Sequence, residues 1–255
     1  LLKSAAVAAM GSTALGFPHI SRAQTTTIKM QTAWSEADSY QEMARQYVER
    51  VEAMSAGKIK ITLYTTGAIV KTFQLQEAVH KGVLDGAHTV TAYWYGKNKA
   101  ASLFGTGPIF GANALQLLAW IHRGGGKELY RELVQDILNL NLVGFLTYPF
   151  PTQPLGWFKE EIRNVDQLKD LKYRTVGLAA DVMQKMGLEV LQLPGDGIIP
   201  AYERGALDAF EYANPTSDRA FGAQKVSNFY MMGSYHQAAE FFEIIFNKDM
   251  FESLP

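Results

Sequence analysis

One seven-residue pattern occurs twice in the chain and constrains the fold more than any other feature. Lys81–Ala87 and Arg204–Phe210, 123 positions apart, both read basic, Gly, apolar, Leu, Asp, small, apolar. Glycine after a basic residue is typical of a helix end, and the apolar residues beyond it are typical of a short buried strand. Such junctions are common, but one copy in each half of the chain favours two lobes of similar build.

The remaining patterns alternate between strands and helices. A β-branched run predicts a strand over Thr25–Thr32, and an apolar stripe predicts a helix from Tyr40 to Met54. A further apolar run predicts a strand over Leu142–Thr147. Strands that alternate with helices throughout argue for the α/β class.

Two boundaries divide the part of the chain that we expect to fold into three segments. The proline-rich crossing Tyr148–Pro154 suits a junction between lobes. We therefore expect lobe 1 over 25–148 and lobe 2 over 149–236. The final stretch, 237–255, is expected to contain a strand that returns towards lobe 1.

Residues 1–24 have the layout of a secretory signal. An Ala-rich apolar run follows Lys3, and Ile20–Gln24 resembles a small-residue cleavage site. The run is short and interrupted by Gly and Ser, which disfavours a transmembrane anchor. Its modest hydrophobicity is typical of a twin-arginine signal whose arginine pair lies upstream. We expect the protein to be exported.

Composition excludes several classes of function. The formal net charge is -1, which gives no indication of a nucleic-acid groove, and the absence of cysteine excludes disulfides and thiolate metal sites. The five histidines match no zinc spacing, and there is no Gly-x-Ser-x-Gly elbow. Nothing in the sequence therefore points to catalysis.

Two charged residues stand where apolar strands end. Glu211 follows the second copy of the repeat, and Arg174 lies in the strand pattern Leu171–Gly177. Ligands of open α/β sheets bind at this edge, where a guanidinium suits a carboxylate ligand and a buried carboxylate needs a cation. A structural Arg174–Glu211 ion pair that needs no ligand is the alternative. With the amide oxygens of Gln153 and Gln237, Glu211 can also form a site for a hard cation.

Aromatic residues are abundant at predicted loop positions. Most are expected to pack in the core, and a minority are expected to form the walls of a pocket. They are Trp34, Tyr93, Trp94, Tyr95, Trp157 and Tyr212.

Four motifs resemble one protein family. Thr152–Phe158, Leu171–Gly177, Asp208–Pro215 and Ser234–Ala238 are similar, in this order, to motifs of the substrate-binding proteins of TRAP (tripartite ATP-independent periplasmic) transporters. The branch they resemble, catalogued as mannitol/chloroaromatic-type, binds 2-oxo acids. The resemblance implies a two-lobed, periplasmic-binding-protein-like fold. Each lobe would be a mixed sheet flanked by helices, with the ligand cleft between the lobes.

The resemblance also implies roles for individual residues. Arg174 matches the arginine that pairs with the substrate carboxylate, and Gln153 matches a glutamine that touches the substrate near the cation. Glu211, the backbone of Tyr212 and Gln237 match the ligands of a bound metal, for which sodium is expected in preference to calcium. Family members commonly have Trp or Phe where this chain has Tyr212, a change that bears on pocket shape and substrate contact.

The function that follows is transport without catalysis. A periplasmic protein would capture a small 2-oxo or hydroxy monocarboxylate with a metal cation and deliver it to the membrane permease. Family members continue beyond Pro255 with long helices that swap between subunits in some of them. We therefore expect this chain to be a fragment and the full-length protein to be capable of forming a homodimer. The alternatives are an exported metal-assisted lyase or hydrolase acting on an organic acid, and a ligand-sensing domain of the same fold.

Overall fold

The computed structural model describes residues 25–107, 111–234 and 236–254, so the expected signal at 1–24 lies outside the described residues. No helix within these three stretches is long and apolar enough to cross a membrane. The strands are β1 (Thr26–Thr32), β2 (Ile59–Tyr64), β3 (Gly86–Val90), β4 (Leu142–Phe150), β5 (Gly156–Phe158), β6 (Lys172–Arg174), β7 (Glu189–Leu191), β8 (Ala209–Phe210), β9 (Phe229–Met231) and β10 (Glu240–Asn247). The helices are α1 (Ser39–Met54), α2 (Leu75–His80), α3 (Ala101–Gly105), α4 (Ala114–Arg123), α5 (Gly126–Arg131), α6 (Leu178–Lys185), α7 (Gly195–Glu203), α8 (Pro215–Phe221) and α9 (Lys248–Glu252).

The strands form two five-stranded sheets with one plan. The first has the order β2-β1-β3-β10-β4 and the second β7-β6-β8-β5-β9. In each sheet, the first three strands are parallel, the fourth runs antiparallel to the third, and the fifth runs antiparallel to the fourth. This confirms the prediction of an α/β protein built on two mixed sheets.

The repeated sequence pattern occupies equivalent places in the two sheets, because it leads into the third strand of each. Gly82 and Gly205 have φ angles of 70° and 73°, a backbone region that glycine enters without steric cost. In each copy, the aspartate (Asp85 or Asp208) accepts a hydrogen bond from a backbone N–H of the neighbouring strand, at 2.7 Å and 3.1 Å respectively. The pattern therefore ends a helix and joins the following strand to its neighbour.

Strand β4 is longer than the sequence predicts. It continues past Thr147 to Phe150, and Pro149 lies within it opposite Phe241. A strand in the middle of a sheet pairs on both sides, and proline, which has no N–H, cannot donate a hydrogen bond to a neighbouring strand. It is tolerated here because β4 forms the edge of the first sheet.

Side chains of the two lobes bond directly to each other. We refer to the first sheet with its helices as lobe 1 and to the second sheet with its helices as lobe 2. The Tyr212 hydroxyl of lobe 2 donates to Asp38, which caps the start of α1 in lobe 1. At a second place, Tyr95 donates to Asp181 of α6 at 2.7 Å, and Lys99 forms an ion pair with the same carboxylate at 2.9 Å. The lobes are therefore closed over the space between them.

Candidate functional site

Arg174 and Glu211 meet at the carboxyl ends of adjacent strands. β6 and β8 pair in parallel with Arg174 opposite Phe210, which places Glu211 immediately beyond the same edge. The guanidinium Nη1 lies 2.9 Å from Glu211 Oε1 and also donates to the Glu211 backbone oxygen at 2.9 Å. Both residues are 1% exposed. The ion pair that the sequence left as an alternative is thus present.

Both partners of this pair retain unused bonding capacity. Arg174 Nε donates to the Leu193 carbonyl oxygen at 2.8 Å, and Nη1 is used by Glu211. Nη2 donates to none of the residues that the structure describes. Glu211 Oε2 is buried and likewise has no partner among them. One donor atom and one acceptor atom therefore remain, and the Thr175 hydroxyl, itself unpaired among the described residues, lies near enough to Glu211 to lower the pKa of its carboxyl group.

The two glutamines named from the sequence lie together beside this pair. The backbone N–H of Gln153 donates to the Gln237 carbonyl oxygen at 3.2 Å. Gln237 is fully buried, yet both polar atoms of its side chain lack a partner in the described stretches, as does Gln153 Oε1. Buried polar atoms are normally bonded, so these unpaired atoms fit a site that binds something else.

The donor set suits a hard cation. It comprises a carboxylate oxygen of Glu211, amide oxygens of Gln153 and Gln237, and the Tyr212 carbonyl, which accepts from Gln153 Nε2 at 3.2 Å. Sodium and calcium take such oxygen ligands. No group of three or more His, Asp or Glu side chains comes together within the described part of the chain. The residues present therefore fit an alkali or alkaline-earth ion held largely by neutral oxygens.

A small cavity lies between the lobes at this place. Its walls include Gln153 and Arg174, together with the aromatic rings of Trp34, Tyr40, Tyr93, Tyr212 and Phe242. Of the loop aromatics, Trp34, Tyr93 and Tyr212 thus line the cavity. The space open to the centre of a water-sized molecule is about 20 Å³, roughly the room of one ordered water. A molecule larger than water can fit here only if the surrounding groups move apart.

Glu240 is a cavity residue that the sequence analysis missed. It is 5% exposed at the start of β10, and its Oε2 accepts from Gln153 Nε2 at 3.0 Å. The sequence feature that could have identified it is an acidic residue at the start of the largely apolar strand pattern Glu240–Asn247. Strand pairing brings it to the cleft, and a single sequence does not specify that pairing.

Burial raises the pKa of both cleft carboxyl groups. The pKa of Glu211 rises to about 7, although the Arg174 guanidinium opposes the effect of burial. The pKa of Glu240 rises to about 8, first through burial and then through the negative charge of Glu211. The pair of carboxyl groups therefore favours an additional positive charge in the cleft.

Comparisons with known proteins identify the family. The family described as "Bacterial extracellular solute-binding protein, family 7" (DctP) matches residues 30–255. A monocarboxylate 2-oxoacid-binding periplasmic protein of Nostoc sp. is 34% identical over 227 residues, which cover 89% of this chain and 61% of the relative. The chain thus spans less than two thirds of that relative's length.

Two crystal structures have the same fold. A TRAP transporter solute-binding protein from Bordetella bronchiseptica, with calcium and picolinate, is 30% identical with a TM-score of 0.86 over 91% of this chain and 68% of that one. One from Pseudoalteromonas atlantica, with sodium and pyruvate, is 27% identical with a TM-score of 0.83 over 91% and 69%. The chain described here belongs to family 7 of the bacterial extracellular solute-binding proteins, the DctP family.

Proposed function

We propose that this protein is the extracytoplasmic solute-binding component of a TRAP transporter. In the periplasm, it captures a small 2-oxo or hydroxy monocarboxylate of the pyruvate type together with a metal cation. It then delivers the carboxylate to the membrane permease. The observation that carries the proposal is the buried Arg174–Glu211 pair, with one free donor atom and one free acceptor atom, beside a cavity between two lobes.

Each cleft residue has a defined task in this proposal. Arg174 Nη2 binds the ligand carboxylate, and Gln153 and Tyr212 contact the ligand. Glu211, the Tyr212 backbone oxygen and Gln237 hold the cation. Closure excludes water, which strengthens the interactions of both charges.

Sodium is the proposed cation, in preference to calcium. Arg174 and Glu211 cancel each other's charge, and Glu240, whose pKa burial raises to about 8, adds little negative charge near neutral pH. A bound monoanion then needs one further positive charge. A monovalent ion supplies that charge without excess. Related proteins have been crystallised with either sodium or calcium, so a comparison of the two cations decides the point.

The proposal also covers the organisation of the whole protein. By sequence, the proposal assigns 25–148 to lobe 1 and 149–236 to lobe 2, with the last two residues of β4 continuing the first sheet across this boundary, and it returns 237–255 to lobe 1. The proposal includes a homodimer of the full-length protein, which gel filtration with light scattering tests, and it assigns the protein no catalytic activity. Recovery of the bound acid chemically unchanged after long incubation supports a binding role, whereas turnover contradicts it.

The direct test is calorimetric titration with pyruvate, lactate and a panel of other small carboxylates, in buffers containing sodium, calcium or neither. We expect binding of at least one 2-oxo or hydroxy monocarboxylate, and we expect it to depend on the cation. If none of the panel binds with either cation, the proposed function is wrong.

The arginine is tested by Arg174→Lys. Lysine keeps the charge beside Glu211 but has a single nitrogen, which cannot bond to Glu211 and Leu193 and also present the donor that Arg174 Nη2 offers to a carboxylate. We expect ligand affinity to fall about 10- to 100-fold, which corresponds to roughly 1.4 to 2.7 kcal/mol. Arg163→Lys, on the exposed surface of the same lobe, is the control and should bind as the unaltered protein does. Equal affinity in the two variants contradicts the role of Arg174.

A further inference from the structure

We propose that Glu240 is a positioning residue that fixes the side-chain amide of Gln153 with its oxygen free for the cation. The inference rests on the proposed function and adds a residue to it. Glu240 belongs to lobe 1, in β10, which lies between β3 and β4. Gln153 lies after β4, where the chain crosses to lobe 2. The contact therefore joins lobe 1 to the crossing segment.

The amide nitrogen of Gln153 carries two hydrogens, and each has an acceptor. Nε2 donates to Glu240 Oε2 at 3.0 Å and to the Tyr212 backbone oxygen at 3.2 Å. An amide NH₂ group has two donor hydrogens, so both are used. The Tyr212 backbone oxygen can only accept, and Glu240 Oε2 accepts in this structure, so rotation of the amide by half a turn would break both hydrogen bonds and place its oxygen against the Tyr212 oxygen.

The oxygen of the same amide is the atom that this arrangement leaves available. With the nitrogen held, Gln153 Oε1 has no partner among the described residues, although it is buried. Glu211 Oε2 and Gln237 Oε1 are also buried without a hydrogen-bond partner among the described residues. The cleft therefore presents several acceptor oxygens together, which is a surface for a hard cation. A reversed amide at Gln153 would replace one of these oxygens by a donor and repel the ion.

Two neutral substitutions of Glu240 distinguish a positioning role from a direct effect of its negative charge. If Glu240 acts through its negative charge, any neutral replacement weakens cation binding. If it acts by accepting the hydrogen bond from Gln153, Glu240→Gln retains an acceptor oxygen and preserves binding. Glu240→Leu is similar in size but has no acceptor, so it releases the amide.

The experiment measures the apparent dissociation constants of sodium and of calcium at saturating pyruvate. We expect Glu240→Leu to weaken cation binding about tenfold, the lower end of the effect of removing an outer-shell partner from a metal ligand. Glu240→Gln should remain within about twofold. In a Gln153→Ala background, Glu240→Leu should have no further effect, because the amide that it positions is absent.

A matched control is available on the same strand. Glu243 is buried three positions further along and accepts hydrogen bonds from Trp94 and Tyr130, away from the cavity. Glu243→Leu should change the stability of the fold but not the cation affinity of the folded protein. Equal weakening by Glu240→Leu and Glu240→Gln overturns the proposal, as does full retention by Glu240→Leu. An undiminished effect in the Gln153→Ala background also overturns it.

A measurement on the unaltered protein gives an answer even if Glu240→Leu does not fold or pyruvate does not bind. The two side-chain amide protons of Gln153, observed by nuclear magnetic resonance, should exchange with solvent much more slowly than those of an exposed glutamine. Exchange at the rate of an exposed amide overturns the positioning role. Absence of pyruvate binding with either cation would instead count against the proposed function itself.

Discussion

Among the individual residues, Tyr212 connects most parts of the cleft. Its backbone oxygen accepts from Gln153, and its hydroxyl donates to Asp38 across the gap between lobes. Its ring stacks on Phe221, with the ring centroids 4.4 Å apart. Phe has no hydroxyl group to donate, so a Phe at this position would lack the hydrogen bond to Asp38 across the gap.

Removing that hydroxyl should loosen the closed state. In Tyr212→Phe, the buried Asp38 loses a donor, a loss that typically costs about 1–3 kcal/mol. Because the bond joins the two lobes, and the proposed function requires them to separate for release, we expect ligand dissociation to accelerate by about tenfold or more. Stopped-flow measurement of the dissociation rate provides the test.

The control for this prediction is Tyr202→Phe, which removes a hydroxyl bonded at 3.1 Å to Ser227 within lobe 2. It should lower stability without altering the dissociation rate. If both variants release the ligand at the rate of the unaltered protein, the Tyr212 hydroxyl has no part in closure.

Among the structural elements, β10 combines a cleft residue with a buried acid in the core. Glu243 is fully buried and bonded to the indole of Trp94 and the hydroxyl of Tyr130. Burial raises its pKa from 4.5 to about 7, and the two hydrogen bonds only partly oppose this. The folded protein therefore holds a proton here at a pH where the unfolded chain has released it.

This proton makes stability depend on pH in a definite direction. Because the folded-state pKa lies above the ordinary value, the contribution of Glu243 is fully present below pH 4.5 and is lost as the pH rises through about 7. The free energy of unfolding should decrease over that range, and Glu243→Gln should remove about 3 kcal/mol of the decrease. Denaturant titrations at several pH values measure it. The exposed Glu49→Gln should leave the profile unchanged, and an unchanged profile in Glu243→Gln contradicts the assignment.

The repeated helix–strand junction allows a matched pair of substitutions. Gly82 and Gly205 have positive φ, and a Cβ atom at either would meet nothing closer than 4.0 Å. Alanine should therefore cost only backbone strain, about 1–2 kcal/mol at each site. Gly96 also has open space around it but no positive φ, so Gly96→Ala should be near neutral in a denaturant melt. A clear difference between Gly82→Ala and Gly205→Ala would argue against equivalence of the two junctions.

In the whole molecule, a ligand and a cation that bind as proposed would share one cleft. Each neutralises a charge that would otherwise disfavour the other, so each should raise the other's affinity by the same factor. We expect pyruvate affinity to rise with sodium concentration until the cation site saturates. Calorimetry at a series of sodium concentrations, and of sodium at a series of pyruvate concentrations, should give equal coupling factors. Independent binding would contradict the shared site.

The sequence predicts the overall arrangement better than the contacts. The repeat at Lys81 and Arg204 indicates two equivalent sheets, and the strand ends indicate that Arg174 and Glu211 meet. Neither their direct contact at 2.9 Å nor the position of Glu240 follows from local patterns. Both depend on which strands pair, and β10 pairs with β3 across more than a hundred residues of intervening chain. The extension of β4 through Pro149 likewise depends on its place at an edge.

The position of β10 has a consequence for the order in which the protein takes shape during synthesis. The strands of lobe 2 lie in one continuous segment, from Gly156 to Met231. Lobe 1 cannot join β3 to β4 until Asn247 has left the ribosome, because β10 fills the gap between them. A nascent chain therefore carries an incomplete first sheet while all five described strands of its second sheet have already been synthesised.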